Sequence, residues 1–126
     1  MHFSDYINEI HEFYRNSGLQ IDPVPRLVLN NDEAGEFDPL IPTGNYNSSN
    51  NTITLYINGR HLKDILRTYC HELIHRNQYL TMGQDFVNLN KSGTLNENAE
   101  LEELEGDAYR RGNIMFRKWT ETKKRG

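Results

Sequence analysis

The stretch from about Arg60 to about Leu80 constrains this chain more than any other. Leu62, Ile65, Leu66, Tyr69, Leu73 and Ile74 recur at helical spacing and form one apolar stripe. At about 100° per residue, His71 and His75 fall nearly opposite the centre of that stripe, beside Asp64, Thr68 and Gln78. Such a helix either leaves its histidines in water or requires a further element to cover them.

The rest of the chain supplies candidates for that cover. Phe3, Tyr6, Ile7, Ile10, Phe13 and Tyr14 mark a first helix within residues 1–18, with Ser4 as the expected N-cap and Gly18 as the stop. Pro23 and Pro25 lead into Arg26 to Leu29, an apolar run that reads as a strand. A long Gly/Pro/Asn-rich connection over residues 30–49 leaves room for a short strand near Leu40 and Ile41. Thr52 to Ile57 alternates and is rich in β-branched residues, so it reads as a strand, closed by Asn58 and Gly59. Thr81 to Leu95 reads as a loop. A last helix is expected from Asn96 to about Trp119, acidic at its start and basic at its end in accord with its own dipole. Its apolar stripe holds Leu101, Leu104, Ala108, Met115, Phe116 and Trp119, and Gly112 on the same side favours close packing. Residues 120–126 read as a frayed tail. The predicted architecture is α+β: one domain over 1–126, with an N-terminal helix, about three strands and two long helices.

Length and composition narrow the function classes. With 126 residues the chain builds one core. A net charge of −4 argues against a general nucleic-acid or membrane-surface role. Cys70 is the only cysteine, so no internal disulfide forms; at roughly 100° from His71 around the helix it reads as packing. Asp5, Glu9 and Glu12 interrupt any secretory signal, and no apolar run reaches membrane-spanning length. The expected location is the cytoplasm.

The chemistry sits at 71–75. Two imidazoles four residues apart on a helix can share one Zn²⁺, with Glu72 placed as general base. Catalytic zinc takes three protein ligands, and no histidine follows His75. A pattern with a third histidine ten residues past the first would need it at Thr81, with glycine at Gln78, and is excluded. The third ligand is therefore a carboxylate, or one of His2, His11 and His61 folded back. Glu103 is the strongest candidate, because Asp107 lies one turn later and can accept the outer N–H of a ligating histidine; Asp85 is the rival.

His71-Glu72-Leu73-Ile74-His75, followed by Glu103-Leu104-Glu105-Gly106-Asp107, resembles the HExxH plus ExxxD signature of gluzincin metallopeptidases, in particular the small single-domain ones of phages and bacteria. The resemblance covers residues 52–119. It implies His71, His75 and Glu103 as zinc ligands, Glu72 as base and Asp107 as the partner of a ligating histidine. It also implies that Thr52 to Ile57 is a sheet edge on which a peptide or protein substrate lies. Tyr79, Tyr109, Arg110, Arg111 and His61 are the candidates for stabilising an oxyanion. The competing readings are a zinc-binding structural or interaction module without turnover, and a metal-free helical interaction protein with solvated histidines.

Overall fold

The computed structural model describes residues 2–31, 43–91 and 95–125, with backbone alone for 90, 91, 95–98 and 125. The first helix, α1, spans Phe3–Asn16. It starts one residue before Ser4 because the Asp5 carboxylate accepts the His2 N–H at 2.9 Å, which places Ser4 inside the first turn. Gly18, at φ +84°, ends it as expected.

Three strands follow: β1 (Arg26–Asn30), β2 (Gly44–Asn47) and β3 (Thr52–Tyr56), in the order β1-β3-β2. β1 runs parallel to β3, pairing Arg26 with Thr52, and β2 runs antiparallel, pairing Gly44 with Leu55. The class is α+β, as the patterning predicts. The expected strand at Leu40 and Ile41 lies outside the described residues; the second strand is Gly44–Asn47. β3 is central, with Ile53 and Leu55 fully buried. Thr52 to Ile57 is therefore not the sheet edge that the family resemblance implies. Alternation reports the buried face of a strand and not its lateral neighbours; β1 and β2 flank β3, and β2, with Asn45 and Asn47 exposed, takes an edge.

The remaining helices are α2 (Leu62–Met82), α3 (Gln84–Lys91) and α4 (Leu95–Arg125). The segment expected to be a loop thus contains α3: Gly83 breaks the chain at φ +63°, and Phe86 and Leu89, three apart, are then buried together. The expected frayed tail is helical through residue 125. Its Lys123 ion-pairs with Glu9 at 2.6 Å and lies over the rings of Tyr6 and Trp119. No helix among the described residues is long and apolar enough to cross a membrane.

α2 is the axis of the structure, packed by β2 and β3 on one side and by α4 on another. Ile10, Tyr14, Ile53, Leu55, Tyr69, Leu73, Ile74 and Ala108 meet around it in one core. Cys70 is fully buried there, as packing. The polar side of α2 is enclosed as well: Glu72, His75, Arg76, Asn77 and Gln78 are all buried. Each of the last three has a protein partner. Arg76 donates to the carbonyls of Ile21 and Pro23 and to the Tyr46 hydroxyl, tying α2 to the segment before β1 and to β2. His11 faces the Tyr69 hydroxyl at 2.6 Å, and burial followed by the charge of Arg15 lowers its pKa to about 4, so it is neutral in the fold at pH 7.

α4 meets the backbone of α2 at Gly112, where an added Cβ would stand 2.8 Å from the His71 Cα and 3.0 Å from its amide nitrogen. Gly112→Ala therefore pits a helix-propensity gain of about 1 kcal/mol against overpacking of about 1–3 kcal/mol. The neighbour is backbone and cannot rotate away, so a lower unfolding midpoint is expected in thermal denaturation. A midpoint at or above the parent's would mean that α4 separates from α2 without cost.

Candidate metal centre

α2 offers His71 and His75 one turn apart, ring centroids 5.0 Å from each other. The carboxylate facing them comes from α4 and belongs to Glu105: Oε1 lies 2.9 Å from His75 Nε2 and Oε2 lies 3.4 Å from His71 Nε2. Glu103, the candidate from the sequence, is exposed and has no contact with either histidine among the described residues. The reason is helical phase. An α4 residue reaches α2 only from beside the stripe that packs on α2, whose centre is the fully buried Ala108. Glu105 lies about 60° from Ala108 around the helix and Glu103 about 140°. Asp85 is exposed on α3, His11 is engaged with Tyr69, and His2 and His61 are exposed at the starts of α1 and α2.

Asp107 is linked to His75, but through an intermediary. Gln78 Nε2 donates to Asp107 Oδ2 and to the Leu104 carbonyl, both at 2.9 Å, which turns Gln78 Oε1 toward His75 Nδ1 at 2.8 Å. This network assigns a proton to Nδ1 and turns Nε2 toward Glu105. Arg111 grips Asp107 at 2.6 Å and donates to Asn77 Oδ1, closing the network on α2. Gln78 was visible in the sequence as a neighbour of the histidines on the polar face, yet its linking role requires the position of α4.

Glu72 is buried, and its ligand oxygen lies within 4.8 Å of the ligand nitrogens of His71 and His75. Gly44 of β2 passes directly over it: a Cβ there would meet Thr68 Cγ2 at 2.6 Å and Glu72 Cγ at 3.2 Å. Arg60 holds the two elements together, donating to the carbonyls of Thr43 and Tyr56 and to Thr68 Oγ1. Burial pushes the Glu72 carboxyl up, against the pull of His75 and His71. Hydrogen bonds from His71 and His75 hold Glu105 well below the usual carboxylate range. For His75 burial opposes charge, but the Glu105 hydrogen bond and Glu72 outweigh it and the net shift is upward.

These groups open onto a cleft of about 520 Å³. Thr43 to Tyr46 form one wall, Phe86 of α3 closes an end, and Glu105, Tyr109 and Asn113 of α4 form the opposite wall. Of the five oxyanion candidates, Tyr109 alone lines this cleft, 67% exposed, its ring centroid 6.5 Å from that of His71.

His71, Glu72 and His75 offer ligand atoms within 4.8 Å of one another, a group that could hold a metal ion, and the Glu105 carboxylate faces both histidines at 2.9 and 3.4 Å. Two imidazole nitrogens and a carboxylate also match the ligand types zinc prefers. Gln78→Leu removes the link that fixes the His75 ring while keeping its bulk. A fall in zinc affinity of about 10–100-fold is expected by competition with a chelator; parent affinity would mean that the Gln78 bridge does not orient His75. No protein-family model matches this chain, and no curated protein or solved structure matches it significantly.

Proposed function

We propose that the protein is a zinc-dependent metallopeptidase of the gluzincin type, with His71, His75 and Glu105 as ligands and Glu72 as general base. The observation that carries this reading is the convergence of both Nε2 atoms and the Glu105 carboxylate on an open cleft, beside a buried glutamate. When bound, Zn²⁺ supplies Lewis acidity, polarising a carbonyl and acidifying water.

The chain's own groups do the rest. Glu72, its pKa raised by burial, takes a proton from water and passes it to the leaving amine. Glu105 stays anionic and balances the cation's charge. Gln78, backed by Asp107, keeps His75 Nε2 free to ligate. We assign the outer edge of β2, which among the described residues pairs with β3 alone, to an extended peptide lying beside Glu72, a role the resemblance had given to β3. Tyr109 on the facing wall is the group we assign to the carbonyl oxygen. The single cysteine, buried and free, agrees with a reducing compartment, and we assign the protein to the cytoplasm.

A zinc-binding module without turnover shares the donor set, and hydrolysis separates the two. Glu72→Gln is expected to retain zinc while losing chelator-sensitive hydrolysis of casein or a quenched peptide library by at least about 100-fold. Parent-rate cleavage by that variant would remove Glu72 from the role of base.

A further inference from the structure

The cleft does not end at the histidines. It continues along the seam between α2 and α4 into a second cavity of about 460 Å³, which shares Arg67, Tyr109 and Asn113 with the first. The continuation is lined by Lys63 and Arg67 from α2 and by Arg117 and Lys124 from α4, with no carboxylate among its lining residues. That is four cations in one groove of a chain whose net charge is −4. All four are exposed. Arg67 is paired with Asp64 at 3.0 Å and lies over the Phe116 ring, which fixes its guanidinium at the groove. Lys63, Arg117 and Lys124 have no ion-pair partner among the described residues, and Glu121, one turn from Arg117, neither pairs with it nor lines the groove.

We propose that this groove is a specificity subsite for an acidic stretch of the substrate chain. The identity of the occupant rests on the peptidase reading; the charge preference rests on the groove itself. From His71 back to Lys63 is eight residues of helix, or about 12 Å, the length of three to four residues of extended peptide. Aspartates or glutamates three to four residues from the scissile bond would therefore meet Lys63, Arg117 and Lys124. Continuity with the cleft favours a peptide over a nucleic acid, as does the presence of one exposed aromatic side chain in place of a row of stacking rings.

The test is fluorescence anisotropy with two labelled peptides of equal length, one carrying three Asp/Glu residues and the other Asn/Gln at the same positions. They are titrated against the parent, Lys63→Glu/Arg117→Glu, and Arg26→Glu/Lys118→Glu as a charge-matched control away from the groove. The parent and the control are expected to bind the acidic peptide about tenfold more tightly, with the preference falling as salt rises and vanishing in the groove variant. Equal binding of the two peptides, or a preference that survives in the groove variant, overturns the proposal. So does displacement of the acidic peptide by a single-stranded oligonucleotide of equal charge at lower concentration. Cleavage of both peptides at one rate with equal affinity would sink the subsite and leave the peptidase standing; selective binding without cleavage would do the reverse.

Discussion

The contact of α4 with the backbone of α2 at Gly112 and His71 is what the site depends on. Only a residue without a side chain lets the helices meet there, and their approach sets what each flank of α4 can reach. One flank brings Glu105, Tyr109 and Asn113 to the cleft. The other brings Asp107 and Arg111 to Gln78 and Asn77, so α4 grips the polar side of α2 as well as covering it. Gly44 has a matching role on the opposite wall, where β2 passes close enough to roof Glu72. Two glycines on two elements thus hold one buried glutamate and two histidines within a narrow slot.

The same enclosure separates the two carboxylates electrostatically. Glu105 touches both imidazoles and is held as an anion, whereas Glu72 is raised by burial that the histidines offset only in part. Two carboxyl groups pushed in opposite directions by their surroundings suit different tasks, one as a fixed charge and one as a proton carrier. The enclosure also explains why α2 can bury so many polar side chains without loss: His75, Arg76, Asn77 and Gln78 all have partners.

Local pattern was enough for most of the fold. The helical stripes of α1, α2 and α4 carry a period of 3.6, β3 a period of 2 and β1 a short apolar run after prolines, and those elements lie where these patterns put them. The pattern failed where partners decide. That β3 is central and not an edge depends on where β2 returns, and β2 follows a connection with no strong period of its own. α3 is short, and its Phe86 finds its ring partners only in Tyr46, Tyr79 and His75. In the site, His71, Glu72 and His75 were legible because one helix turn fixes their spacing. The sequence pointed to Glu103 because a face opposite the apolar stripe was read as a face toward the histidines, whereas Glu105 is the carboxylate that faces them. A helix that reaches a side chain of its neighbour does so from beside the stripe that packs on that neighbour, which is where Glu105 stands. Asp107 was expected to meet a histidine directly; it meets Gln78 instead, and that intervening side chain could not be seen without the helix crossing.

The most direct measurement is metal content by mass spectrometry on protein purified without added metal, for the parent, Glu105→Ala and Glu103→Ala. About one zinc per chain is expected in the parent and in Glu103→Ala, and a loss of most of it in Glu105→Ala. Zinc kept by Glu105→Ala and lost by Glu103→Ala, or a parent that takes up no zinc when it is offered, would contradict a centre built from His71, His75 and Glu105.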